Sequence, residues 1–292
     1  MRSFDLLFGG YGFTMPLLAG VAIALLAGAL SVFVVGRRLA FVGQGISHTA
    51  FGGVGLAAVL GLTEAGALTT GGQVLVALFC VGSALLIGAA SGKDGHREDT
   101  LIGIVLVASM AMGILLYMME LDRNPGVVLP SFESVLFGSF LAIGRTDAIV
   151  SWVVCAVVLA LIWLWRRPLV FVVFDERGAE AAGVRTGLVR AALMVMLGLA
   201  IVLVMKLAGV VLASALLVLP GATADALTKK LRTSFAFSIG LALVGVLAGV
   251  VLSFEMDWPT GPSVVVVMVG VYLVARAAGC VRQFTRAGSG AS

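Results

Sequence analysis

Three residues in the run FVGQGISHTAFGGVG at 41–55 have the types and spacing for chemistry: Gln44, Ser47 and His48. On a helix Gln44 and His48 are spaced i,i+4 and stack on one face about one turn apart, with Ser47 beside them. An imidazole at bilayer depth is costly unless it faces a cavity or a partner, so an ionisable group there marks a functional site. Neutral imidazole is a good ligand for zinc, iron and copper, and oxygen donors suit manganese. Gly43, Gly45, Gly52, Gly53 and Gly55 strip bulk from around these residues, which permits either close backbone approach or a broken helix. Together they read as a polar path through lipid.

The elements that must position this path are membrane helices. The chain has 292 residues, 61% of them hydrophobic and only 12% charged, about half the charge of a soluble domain. No polar stretch is long enough for a separate soluble domain, so residues 1–292 read as one transmembrane domain, an all-α polytopic bundle. Apolar runs of about twenty residues cross the hydrocarbon, and they fall at 13–35, 46–62, 73–91, 100–120, 148–165, 188–206, 208–227, 234–253 and 262–280. That makes nine spans, or eight if 206–227 forms a broken hairpin. Residues 132–144 are too short to cross and read as a re-entrant or interfacial helix, tolerable only against protein or water. Pro220 is expected to kink or break its span. The N-terminal run lacks a cleavage site for a leader and is expected to stay inserted.

Charge orients the bundle. With these spans Arg2, Arg123, Arg145 and Lys206 lie on one side, and the other fifteen of the 19 lysines and arginines lie opposite, which makes the second side cytoplasmic. The N-terminus is then outside and the C-terminus inside. Asp5, Glu64, Glu120, Asp122, Glu133, Asp147, Glu255 and Asp257 fall on the outer side, a negative surface that concentrates cations. The three cysteines, Cys80, Cys155 and Cys280, are far apart in apolar segments and read as packing residues. Met194, Met196 and Met205 read the same way. Gly245 and Gly249 form a GxxxG pair suited to close helix contact.

Several chemistries are excluded. The chain contains no H-E-x-x-H and no G-x-S-x-G, and the GAASGKDG run around Lys93 lacks the Walker spacing and places Asp94 where a magnesium-holding hydroxyl is required. With two histidines in total, His48 and His96, no histidine-rich buffer can form. Transport is what remains.

Five blocks carry a family resemblance in order: RRLAFVGQGISHTAFGGVGLAAVLG, EDTLIGIVLVASMAMGILL, SVLFGSFLAI, FDERGAEAAGV and AGVVLASALLVLPGATA. They resemble the ABC-3 metal-chelate permeases, the membrane subunits of zinc, manganese and iron importers driven by an ATP-binding cassette. The resemblance implies a plasma or inner membrane location, a cytoplasmic ATPase dimer, an extracytoplasmic metal-binding protein, and a second copy of the permease completing the pathway. It implies no enzyme activity in this chain, no resident cofactor and no nucleic-acid partner, with a divalent metal ion as cargo. His48, Gln44 and Ser47, doubled by the second copy, would supply part of a transient coordination shell. Permeases of this type commonly carry an aspartate where this chain has Gln44, and the amide lowers the negative charge of the site.

A second candidate site is the polar insert FDERGAEAAGVRTG at 174–187, on the Lys/Arg-rich side. Ala179, Ala181 and Ala182 favour a short helix and Gly183 a C-terminal stop. By the resemblance this helix couples to the ATPase, with Asp175, Glu176, Glu180 and Gly183 as its characteristic residues. Importers of larger chelates such as siderophores and secondary transporters remain as alternatives. The latter would need inverted repeats and midplane acids, and nearly every acid here falls in a loop.

Overall fold

The computed structural model describes residues 11–90, 95–138 and 140–289. In chain order the elements are α1 (Tyr11–Gly36), α2 (Ala40–Val59), the strands β1 (Thr63–Glu64) and β2 (Ala67–Leu68), α3 (Thr70–Ala90), α4 (Gly95–Arg123), the short α5 (Phe132–Phe137), a 3-10 turn at Phe140–Ala142, α6 (Arg145–Leu164), α7 (Arg166–Phe174), α8 (Glu176–Ala181), α9 (Thr186–Leu227), α10 (Leu231–Met256) and α11 (Thr260–Ser289). The strands pair antiparallel as a small hairpin between α2 and α3.

Among the described residues eight helical stretches are long and apolar enough to cross a membrane: 14–36, 70–89, 100–123, 145–164, 186–205, 209–227, 231–256 and 260–278. The remaining expected span corresponds to α2, which begins at Ala40 rather than near 46. Its 20 residues rise about 30 Å, enough to span hydrocarbon. Composition alone sets it apart, because Gln44, Ser47, His48, Thr49 and five glycines dilute its apolar character. Fourteen of its residues are buried, so protein rather than lipid surrounds most of it.

Residues 166–174, left between the expected spans, form the helix α7. Pro168 lies in its first turn, where a missing N–H costs nothing, and Leu169, Val172 and Val173 give it one buried face. The expected break at Pro220 is absent: the one non-helical residue within α9 is Gly209, at φ 79° and ψ 173°. The helix continues through Pro220, and the next N–H, that of Gly221, donates to the Ser31 hydroxyl of α1 at 2.8 Å. Finally, the span expected at 100–120 belongs to a longer helix, since α4 already begins at Gly95. Lys93, Asp94 and the side chains of His96 and Cys280 lie outside the described residues.

The chain divides into two compact units, and α6 and α9 contribute to both. In the unit built from 11–38, 141–155 and 215–289, α10 lies along α1. A Cβ at Gly28 would stand 2.8 Å from the Ile239 Cα, and the Ser238 hydroxyl donates to the Gly28 carbonyl at 2.6 Å. Phe33 and Phe235 meet edge to face at 5.2 Å. On its other side α10 uses Gly245 and Gly249 to approach α11, with a Cβ at Gly249 falling 2.4 Å from the Val264 Cα. Small residues allow such contact where lipid supplies no hydrophobic drive between helices. Ser238→Ala is expected to cost about 1 kcal/mol, the usual worth of an interhelical hydroxyl bond in a membrane. A thermal melt in detergent checks this, and an unshifted midpoint would count against the bond's contribution.

In the unit built from 39–138, 140 and 156–214, α2 is pressed between α3 and α4. A Cβ at Gly53 would lie 3.0 Å from the Val76 Cα, one at Gly45 2.6 Å from Ile102 Cγ2, and one at Gly55 2.3 Å from the Gly113 carbonyl oxygen. The glycines therefore serve close approach, and the helix stays unbroken. Beyond its end, Gly66 N–H donates to Val128 O at 3.0 Å and the Tyr117 hydroxyl to Pro130 O at 3.1 Å. Tyr117, Ala58 and Leu129 are buried together under these links. The short α5 has backbone against protein: a Cβ at Gly209 would come within 2.0 Å of the Leu136 carbonyl oxygen.

Met194, Met196 and Met205 are core residues, as expected. Cys80 and Cys155 are buried free thiols.

Candidate functional site

Packing decides which face of α2 stays open. The glycine-rich faces contact α3 and α4, and a stripe through Phe41, Gln44 and His48 does not: Phe41 and Gln44 are exposed and His48 is half-buried. The i,i+4 pair thus shares one accessible face, as the spacing required. Ser47 does not join it. Its side chain is wholly buried and its hydroxyl donates to the Gln44 carbonyl one turn back at 3.0 Å, a local bond that takes up its proton.

The imidazole is held asymmetrically. Its ring stacks on Phe51, one turn further along α2, with centroids 6.2 Å apart and planes 18° from parallel. Nδ1 is buried without a hydrogen-bond partner. Thr49 is also wholly buried; its hydroxyl donates to Ile46 O at 2.7 Å and lies 3.8 Å from Cys80 Sγ. Among the described residues no group of three or more His, Cys, Asp and Glu stands together. One chain therefore offers an incomplete donor set, an imidazole nitrogen and an amide oxygen. Such a set can hold a metal in transit but not as a closed structural site.

The insert forms the short helix expected of it. Asp175 caps α8, with Oδ1 accepting from the Gly178 N–H at 2.9 Å. At the other end Gly183 adopts φ 80°, Val184 N–H donates to Ala179 O at 3.0 Å and Gly183 N–H to Glu180 O at 3.0 Å. This pair of bonds is the Schellman motif, which needs a left-handed residue where Gly183 stands. Ala179 is wholly buried and anchors the helix.

All three acids of the insert have internal partners. Glu176 is ion-paired to Arg190 in the first turns of α9, and Glu180 accepts from the Thr186 hydroxyl at 3.2 Å. The exposed residues around them are Arg177, Ala181, Ala182 and Arg185. Spacing along the sequence could not show this, because the partners sit on the next helix.

Comparison with known proteins covers nearly the whole chain. The profile of the ABC 3 transport family matches residues 12–279. A manganese transport system membrane protein MntC of Halalkalibacterium halodurans is 33% identical over 273 residues, 93% of this chain and 89% of that protein. A high-affinity zinc uptake system membrane protein ZnuB of Haemophilus influenzae is 31% identical over 251 residues, 86% of this chain and 91% of that one. Among solved structures, PsaBC from Streptococcus pneumoniae in complex with Fab superposes with a TM-score of 0.78 at 27% identity, covering 94% of both chains.

Proposed function

The chain belongs to the ABC 3 transport family, and from that premise we propose that it is the membrane permease subunit of an ATP-binding-cassette importer for a divalent transition metal ion: zinc, manganese or iron. The observation that carries this reading is α2, a bilayer-length helix enclosed by α3 and α4 with Gln44 and His48 on its open stripe. The chain is a transport subunit rather than an enzyme. ATP hydrolysis belongs to a cytoplasmic ATPase dimer, delivery of the ion to an extracytoplasmic binding protein, and a second copy of this permease supplies the facing stripe. The whole of 1–292 acts as one permease domain in the plasma or inner membrane, with α2 as the ninth crossing, the N-terminus outside and the C-terminus cytoplasmic.

In this reading His48 Nε2 and the Gln44 amide oxygen are transit ligands, and Ser47 supports Gln44 through its backbone. The α8 segment is the coupling helix. Asp175, Glu176, Glu180 and Gly183 give it its shape, and contact with the ATPase falls to the exposed Arg177, Ala181, Ala182 and Arg185.

Proteoliposomes carrying this permease with its ATPase and binding protein are expected to accumulate at least one of radiolabelled zinc, manganese or iron in an ATP-dependent manner. No such accumulation of any of the three would overturn the reading, and uptake only of an intact siderophore complex would favour a wider pathway.

Coupling has its own test. Reversing Asp175 and Glu176 to lysine removes a cap worth about 1 kcal/mol and an ion pair, so it loosens α8 as well as changing its charge. Arg177→Glu with Arg185→Glu touches neither bond. Both double variants are expected to weaken capture of the permease by its ATPase and to lower metal-stimulated hydrolysis, since unmatched charges at an interface cost several kcal/mol. If capture and hydrolysis stay at wild-type levels in both, α8 is only a connector.

A further inference from the structure

The donor set on α2 becomes narrower once the helix is packed. Ser47 and Thr49 are wholly buried and their hydroxyl protons are given to backbone carbonyls at 3.0 and 2.7 Å, so neither reaches the open stripe. What remains is the exposed Gln44 amide and the half-buried His48 imidazole. With Nδ1 buried and without a partner, Nε2 is the nitrogen available to a ligand. Both donors are neutral, and α2 contains no carboxylate from Ala40 to Val59.

Ligating histidines ordinarily donate their second N–H to a carboxylate or carbonyl, which orients the ring and raises its basicity. His48 has no such partner and is oriented by its stack on Phe51. The site therefore discriminates by donor type alone. A dication in a low-dielectric path without counter-charge is disfavoured whichever ion it is, so the difference between ions is left to the nitrogen. Affinity for nitrogen donors rises from manganese through iron to zinc, and manganese is better served by carboxylate and water oxygens.

We propose that Gln44 and His48 set the selectivity of this permease, favouring an ion that binds neutral nitrogen well, zinc, over manganese. This rests on the metal-permease reading of α2 and goes further than it, because relatives named for manganese and for zinc match the chain at similar identity. Gln44 is then the specificity-determining position. As an amide it withholds the anionic oxygen on which manganese depends, and His48 supplies the bond that zinc prefers.

The test is equilibrium retention of zinc alone and of manganese alone by the tag-free, full-length permease with its ATPase in nanodiscs, the bound metal being counted by mass spectrometry. Zinc is expected to half-saturate at a free concentration on the order of tenfold below that of manganese. Gln44→Asp should shrink this ratio by tightening manganese more than zinc, and His48→Gln should erase it. A wild type holding manganese as tightly as zinc, or a ratio indifferent to His48→Gln, overturns the selectivity. If manganese is both held and pumped and still requires His48, the permease reading stands and the selectivity alone falls. If neither ion is held but iron is pumped, the selectivity alone falls; if none of zinc, manganese and iron is held or pumped, both fall.

Discussion

His48→Ala is expected to bring ATP-driven metal uptake down to the level of vesicles without transporter, a loss on the order of a hundredfold. Outer-shell partners of a metal ligand already cost ten- to a hundredfold when removed, and in the proposed pathway His48 carries the ligand atom itself. It is also the only imidazole on α2. The effect should fall on transport and not on folding. The ring is only partly buried, so truncation leaves a smaller cavity than at a core position, and the close contacts of Gly45, Gly53 and Gly55 are with Ile102, Val76 and Gly113 and do not involve it. His48→Phe separates the two roles: it keeps a ring against Phe51 and removes the nitrogen. Both variants should assemble with the ATPase and elute as wild type does. Wild-type uptake rates in His48→Phe would remove His48 from the pathway and reduce it to a packing residue.

The largest effect on folding is expected at Gly209. Its φ of 79° and ψ of 173° fall in a region that is essentially glycine-only, worth about 1–3 kcal/mol of strain for any other residue. The added methyl would also stand 2.0 Å from the Leu136 carbonyl oxygen, a backbone atom with no rotamer through which to escape. Gly209→Ala must therefore part α9 from α5 or refold the break, and either should leave little monodisperse protein after detergent extraction. Gly103→Ala and Gly240→Ala are the matched controls. Both lie inside helices with open space where the Cβ would go, so alanine there should be neutral or slightly stabilising. A Gly209→Ala protein that melts within a few degrees of these controls would show that the break is adaptable and not locked.

Much of this molecule could be read along the chain because much of it is governed by near neighbours. Apolar runs of bilayer length name their own helices whatever surrounds them, and the blocks around 41–55 and 174–187 carried the family resemblance. The i,i+4 relation of Gln44 and His48 follows from helical geometry. The α8 helix follows from a cap three residues from its partner and a glycine stop, all within ten residues of chain.

Only the tertiary structure decided which stripe of α2 stays open, because that depends on where α3 and α4 press against the glycines. It turned Ser47 inward, away from the pair it accompanies in sequence. Tertiary contact also placed the break of α9 at Gly209, beside the α5 backbone, instead of at Pro220, where the neighbouring Gly221 N–H finds a hydroxyl 190 residues away. The acids of the insert looked free for a partner until Arg190 and Thr186 on the next helix took Glu176 and Glu180. Periodicity and propensity are properties of a few turns of chain, whereas burial and pairing belong to segments that meet only when the helices pack.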